Sequence, residues 1–437
     1  MDDSSNIILL KEFEGLSVGA EWNANKRIIG AREAAAIERF QAVGGQELLK
    51  FGHRTIQATN WVGTLGIGRR CLEVLPKIDD PSGSLDARGT RENLLWMVSR
   101  AGLVPTAPAD IARLANSKHP LLAAFLQLYV ENLALEWQRG PIKVYVAEER
   151  NRTFLRGKLL FQQQTRHNLI QQQRFYTAAD EFTMNNPLSI LLKAALKRCA
   201  FQRLSETVAR GARGLLLEFA DVEDWEISPL EAEKIMVSRQ HSRFALLINL
   251  AKLILQSVSP ETGGEGQQVY ALMFDMNFVF ERFVAAEMQA ALAGTSLAVV
   301  PQLGGRCLLT QNGKKRFNLR PDIGISQGDK VICLIDTKWK RLDLHKPHAG
   351  VSQADVYQMY AYGKEYDTPL TVLLYPRQGR LQESIAEYLH NPGIESEVFP
   401  KTIAVKTLDV CKPMGLPATR QELRDCLMRF VKTKSLP

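Results

Sequence analysis

Apolar positions along this chain follow two rhythms, and their alternation lays out its elements. In the last third, Val331 to Ile335 is an unbroken apolar, β-branched run. It lies across a Gln327-Gly328-Asp329 turn signal from a second strand-like segment containing Ile323 and Ile325, which predicts a hairpin. Residues 270–288 are dense in Phe, Met, Val and Ala and predict a mostly buried helix. In 351–366, Val356, Met359, Tyr360 and Gly363 recur at helical spacing, while Gln358 and Tyr362, four apart, share another face. Residues 370–375 read as a buried strand stopped by Pro376. The order over this region is therefore helix, hairpin, helix, strand.

Upstream, 6–13, 55–67 and 71–78 are strand-like, with an alanine-rich helix at 31–51. From about 91 to 265 the pattern is mainly helical, with helices at 92–102, 121–139, 187–209 and 229–256 around an Arg- and Gln-rich stretch at 144–173. The stripe Leu188, Leu191, Leu192, Ala195 and Leu196 is core packing. Breaks at 79–84 and 259–266, rich in Pro, Gly and Ser, divide the chain into 1–85, 86–265 and 266–437. A chain of 437 residues accommodates two or three such domains.

The chemistry concentrates where the apolar run ends. Asp336 and Lys338 occupy alternate positions of a strand and so point the same way, about 6.6 Å apart. Folding the hairpin symmetrically about Gly328 sets Asp322 opposite Leu334, close to Asp336. Two carboxylates and one ammonium at the end of an apolar sheet can hold Mg²⁺ together with waters and position an attacking water, as phosphodiester cleavage requires. An isolated D-x-K is a common surface pair, and the apolar strand it terminates is what singles this one out. Glu281, between Phe280 and Phe283, is either solvent-facing or functional, because a buried carboxylate is costly unless paired or metal-bound.

A net charge of +8 favours a polyanionic partner, although solubility alone also accounts for basicity this mild. Lys314-Lys315-Arg316, Lys338-Trp339-Lys340-Arg341 and His345-Lys346-Pro347-His348 put positive charge near the candidate site, as phosphate contacts or as solvated turns. The six cysteines, Cys71, Cys199, Cys307, Cys333, Cys411 and Cys426, form no C-x-x-C pair and suggest neither zinc nor a disulfide framework. Gly63-Thr64-Leu65-Gly66-Ile67-Gly68 lacks the Lys-Ser/Thr of a phosphate loop, so no NTPase is expected in this chain. The N-terminus lacks signal-peptide character and no apolar span reaches membrane length, which leads to the expectation of a cytoplasmic protein without a membrane partner.

Taken together, Phe280-Glu281-x-Phe283, Arg320-Pro321-Asp322, Asp336-Thr337-Lys338-Trp339-Lys340 and Tyr357-Gln358-Met359-Tyr360-Ala361-Tyr362 resemble the PD-(D/E)XK nuclease core. More narrowly, the chain resembles the McrC-like subunits of McrBC-type, modification-dependent restriction systems. Leu72-Glu73-Val74-Leu75-Pro76-Lys77-Ile78, Leu155-Arg156-Gly157-Lys158-Leu159 and the Asp180 to Pro187 segment are similar as well, so the resemblance spans roughly 55–376. It implies an α/β fold: a restriction-endonuclease-like mixed sheet flanked by helices at 266–437, a small α+β motor-docking domain at 1–85, and a mainly helical linker and docking region at 86–265.

The resemblance further implies that Asp322 and Asp336 ligate Mg²⁺, with Mn²⁺ as a substitute, and that Glu281 assists at the metal. Lys338 would position water or stabilise charge, and Gln358 would position substrate. Double-stranded DNA carrying modified cytosine would be the substrate. An McrB-like AAA+ GTPase ring would be the partner, itself consuming GTP or ATP under stimulation by this chain. The alternatives are a stand-alone Mg²⁺-dependent nuclease of repair or mobile-element origin and a non-catalytic DNA-binding scaffold.

Overall fold

The computed structural model describes residues 6–77, 87–104, 106, 108–117, 119–257, 269–378, 381, 383–389, 401–411 and 418–425. The expected breaks at 79–84 and 259–266, and Cys426, lie outside the described residues. The fold is mixed α/β. Contacts group the chain into two compact units: 1–65 with 71–121 and 272–437 in one, and 66–70 with 122–271 in the other.

The first unit is organised by a six-stranded sheet in the order Leu297–Pro301, Ile323–Gln327, Lys330–Thr337, Leu370–Pro376, Thr402–Leu408, Ser384–Leu389. The first three strands run antiparallel, Lys330–Thr337 is parallel to Leu370–Pro376, and Thr402–Leu408 continues parallel before an antiparallel edge. Leu370–Pro376 is buried along its whole length, as a parallel strand covered on both faces must be. Leu334 and Leu373 pack with Met359 and Tyr362 of the helix Gln353–Glu365. The alternate residues Ile335 and Val372 line a small cavity with Met288 of the helix Met276–Ala291. Helices thus cover both faces of the strands that carry the candidate chemistry.

The expected single helix over 270–288 divides into the strand Val269–Asp275 and the helix Met276–Ala291. Burial alternates along the strand, a period-two pattern that the run of apolar residues conceals. Asp275 makes the boundary: its carboxylate caps the helix through Asn277 N at 2.9 Å and accepts from Asn60 Nδ2 at 2.6 Å. This strand joins Ile7–Lys11, Arg70–Leu75 and Trp61–Ile67 in a four-stranded sheet. The glycine-rich 63–68 stretch falls largely within Trp61–Ile67, and a Cβ on Gly63 would stand 2.0 Å from Leu272 O. Close backbone packing, not phosphate binding, accounts for that glycine.

The helix expected at 31–51 ends at Gly44, where Gly45 adopts φ +66° and accommodates the left-handed cap, and Leu49–Gly52 is a strand.

In the second unit, 187–209 resolves into Pro187–Phe201 and Glu206–Leu216, the latter capped by Ser205. The stretch 229–256 resolves into Pro229–Lys234, the 3-10 turn Arg239–Phe244 and Ala245–Ser257. At the first of these breaks the Ser205 side chain accepts from Val208 N and starts a new helix, where the apolar stripe alone predicts continuity. The region is not helical throughout, because Val144–Arg152, Lys158–Leu159 and Phe175–Thr183 form a three-stranded antiparallel sheet. Its helical core is pinned by Tyr129 Oη donating to Leu192 O at 2.8 Å and by Trp137 stacking on Phe219 at 3.9 Å between ring centroids.

Candidate active site

Asp322 and Asp336 meet because of one irregularity in the hairpin. Gln327 pairs with Lys330 across a two-residue turn, but a bulge after Ile325 shifts the register so that Ile325 faces Cys333 and Ile323 faces Ile335. Continuing that register sets Asp322 alongside Asp336, not opposite Leu334 as a symmetric fold about Gly328 predicts. The extra residue in Lys330–Thr337 brings the two carboxylates together.

Each member of the cluster has a defined partner. Asp322 Oδ2 accepts from Thr337 N at 2.7 Å and from Thr337 Oγ1 at 2.8 Å, so the residue between Asp336 and Lys338 orients the other carboxylate. Lys338 Nζ stands 2.6 Å from Asp336 Oδ2 and 3.7 Å from Asp355 Oδ1, and it donates to Gln358 Oε1 at 3.4 Å. Gln358 Nε2 in turn donates to Asp336 Oδ1 at 3.3 Å and to Tyr362 Oη at 2.7 Å. Glu281 accepts a hydrogen bond from Gln302 Nε2, and the backbone N–H of Gln302 donates to Asp322 O at 2.6 Å. All five expected site residues therefore belong to one connected cluster.

Two participants escaped the sequence reading, Thr337 and Asp355. Asp355 is buried in the first turn of the helix Gln353–Glu365, where Ser352 Oγ accepts from its N–H at 3.2 Å, and its carboxylate binds both Lys338 and Lys340. A Ser-x-x-Asp before an apolar stripe marks a helix start, and that was the only available signal. The loop containing His345, Lys346 and His348 makes other contacts: Lys346 pairs with Asp343 and His348 packs toward Tyr388.

The electrostatics are uneven. Asp336 is only 2% exposed. Burial, then repulsion from Asp322, pushes its pKa up to about 6 despite the attraction of Lys338. Glu281 is also raised, by burial and then by Asp322, with Gln302 opposing. For Lys338, burial works against the ammonium, but Asp336, Asp355 and Asp322 outweigh it and hold its pKa above the usual lysine value. The lysine thus keeps its proton firmly, while Asp336 bears the cost of being charged.

The donor set bears on whether a divalent cation fits. Asp336 Oδ2 is buried, and its close partner is the Lys338 ammonium at 2.6 Å, an ion pair outside regular hydrogen-bond geometry. One ammonium leaves a carboxylate this deeply buried, and repelled by Asp322, costly to charge, and a divalent cation would offset that cost. Among the described residues no group of three or more His, Cys, Asp or Glu is placed to hold a metal, and Glu281 is engaged by Gln302. Two carboxylates with waters completing the shell suit Mg²⁺ better than a protein-only cage would.

The family model described as McrBC 5-methylcytosine restriction system component matches residues 56–376. No curated protein matches the chain. Among solved structures, the chain is similar to a refined half-complex from a tetradecameric assembly of Thermococcus gammatolerans McrB AAA+ hexamers with bound McrC, with a TM-score of 0.71 and 19% identity over 97% of this chain and 99% of that one. A cryo-EM structure of the Thermococcus gammatolerans McrBC complex is similar with a TM-score of 0.51 and 22% identity, over 66% of this chain and 88% of that one. At such identities the likeness is one of fold.

Proposed function

The chain belongs to the family of McrBC 5-methylcytosine restriction system components, and from that premise we propose that it is the DNA-cutting subunit of such a system. In this reading its first unit contains a PD-(D/E)XK nuclease core. The observation that carries the reading is the convergence of Asp322, Asp336 and Lys338 at one sheet end, with the Asp336 carboxylate buried beside the Lys338 ammonium.

Asp322 and Asp336 would hold Mg²⁺, which supplies Lewis acidity and lowers the pKa of a bound water. Thr337 holds Asp322 in place, and Gln358 holds Asp336. Lys338 remains an ammonium at neutral pH, so its part is to stabilise negative charge developing on the phosphate and to steady the nucleophile, not to remove a proton. Gln358, steadied by its hydrogen bond to the buried Tyr362 Oη, would position the substrate from the helix side. Glu281 would assist at the metal from the edge of the site, where Gln302 holds its carboxylate.

A nuclease without an NTPase motif needs delivery. The McrC-containing structures are assemblies with McrB AAA+ hexamers, which supports an AAA+ GTPase ring as partner here, consuming GTP or ATP under stimulation by this chain. In the second unit, Phe154, Leu155, Phe161, Leu169 and Ile170 are exposed, and such apolar surface suits docking onto a protein partner. Residues 1–85 and 86–265 would share that docking, leaving cleavage to 266–437.

The reading is tested by incubating methylated and unmethylated plasmid with Mg²⁺, with this chain alone and with the AAA+ protein encoded beside it plus GTP or ATP. Cutting only of modified DNA, and only with partner and nucleotide, is the expected result. Nucleotide-independent cutting by the chain alone would replace it with a stand-alone nuclease, and no cutting in any mixture would leave a scaffold.

A further inference from the structure

Pro301 and Ile323 form the last rung of two paired strands of the main sheet. Between them the chain leaves the sheet and returns as a separate two-stranded hairpin, Arg306–Gln311 and Lys314–Leu319. From Gln302 to Pro321 the sequence carries Arg306, Lys314, Lys315, Arg316 and Arg320, and not one Asp or Glu. All of these cations are exposed; Lys315 donates to Gly305 O at 2.7 Å, Arg306 lies near Tyr366, and Arg320 at the root is close enough to Glu281 to attract its carboxylate. Like charges concentrated on a hairpin that carries no carboxylate of its own repel one another, so this hairpin is built for an anionic partner.

Its apolar residues point to the same kind of partner. Leu309 and Phe317 are exposed on the hairpin, Phe317 at 69%. Phe317 also holds φ +54°, a left-handed conformation that costs a bulky side chain about 1–2 kcal/mol. The missing rung between the Cys307–Asn318 and Leu309–Arg316 pairs falls at this residue. The base of the hairpin, by contrast, is anchored. Tyr366 Oη donates to Leu303 O at 3.1 Å, Leu319 is in the core, and Gln302, at the root, bonds both Glu281 and Asp322. A firmly rooted cationic arm with an exposed aromatic ring therefore rises from the strand ends that carry the candidate carboxylates.

We propose that this hairpin grips duplex DNA beside the phosphate to be cut. Lys314, Lys315, Arg316 and Arg306 follow the flanking phosphates, and Phe317 packs against sugars or base edges in the groove. The proposal rests on the reading of the substrate as duplex DNA.

The test is fluorescence anisotropy of a labelled duplex bound by the full-length chain with Asp336→Asn, over a series of salt concentrations. Exchanging Lys314, Lys315 and Arg316 together for Ala is expected to weaken binding about tenfold or more and to flatten the plot of log K against log salt by about 0.9 per lost contact. Phe317→Ala should lower affinity while leaving that slope unchanged, because it removes no charge. Lys314→Arg, Lys315→Arg and Arg316→Lys together should bind as the parent does. Unchanged affinity and slope in the triple alanine variant would overturn the proposal, as would loss of binding to the AAA+ partner with DNA binding intact. In either case the nuclease reading still stands or falls on plasmid cleavage by the unaltered chain. If that chain neither binds DNA nor cuts it with partner and nucleotide, both fail together.

Discussion

Trp339, directly after the candidate lysine, donates from its indole Nε1 to the buried carboxylate of Glu12 at 3.0 and 3.2 Å. Glu12 follows the first strand of the chain, so the beginning of the protein and the D-T-K-W-K segment are joined through a single side-chain pair. Lys77 completes the joint: its backbone N–H donates to Glu12 at 2.9 Å, and its ammonium lies 3.6 Å from Glu12 and 3.3 Å from Trp339 O. The indole also packs on Phe280, one residue before Glu281.

Trp339→Phe keeps most of the apolar volume but leaves Glu12 short of a donor. Losing one donor from a buried carboxylate that Lys77 still contacts costs about 1–3 kcal/mol. The expected outcome is a loss of that size in chemical denaturation, with cleavage falling further than folded fraction alone explains. Equal falls in both would show that the joint only stabilises.

Asp336 links stability to pH. Its folded pKa of about 6 lies above the ordinary 3.8. The folded state therefore binds the proton more tightly than the unfolded chain does. The associated stability is complete below about pH 4 and is lost as pH rises through about 6, a swing of roughly 3 kcal/mol before solvent relaxation reduces it. Asp336→Asn removes this dependence, so in metal-free buffer the variant should gain on the parent in denaturation midpoint between about pH 4.5 and about pH 7.5. A constant difference across that range would refute the shift.

The same pair of carboxylates makes a metal prediction. Mg²⁺ should raise the melting temperature of the parent at neutral pH by offsetting the Asp322–Asp336 repulsion, and chelation with EDTA should reverse it. Asp336→Asn should abolish the response, and cleavage with it. A variant that still responds would place the cation elsewhere.

Asp355 binds Lys338 at 3.7 Å and Lys340 at 3.2 Å from a buried position. Asp355→Asn is expected to lower kcat by roughly 10–100-fold by loosening the lysine, with little change in KM. Because Asp355 helps keep Lys338 protonated, the alkaline limb of the rate profile should also move to lower pH. A purely structural role would leave that limb in place.

Glu287, fully buried, is held between Arg100 and Arg420 Nε, the latter at 2.9 Å. Glu287→Ala leaves two guanidinium groups without their anion and should cost about 3 kcal/mol, and Glu287→Gln less. Urea denaturation decides it: a loss under about 1 kcal/mol would mean that solvent takes over the arginines.

What the sequence determined by itself was the set of chemical parts and most of the local elements. Val331 to Ile335 ending in Asp336, the Gln327-Gly328-Asp329 turn, and the apolar stripes of 351–366 and 370–375 all follow from periodicity, because burial on one face or two faces is written into residue order. The tertiary structure decided how those parts meet. The bulge that brings Asp322 beside Asp336 depends on the pairing of two strands, and the strand at Val269–Asp275 exists because a sheet accepts it where local preference favours helix. Asp355 beneath Lys338 and Glu12 beneath Trp339 are contacts between residues distant in sequence. Local propensity acts over a few residues, whereas such pairs form only once the sheet and its covering helices hold both backbones in place.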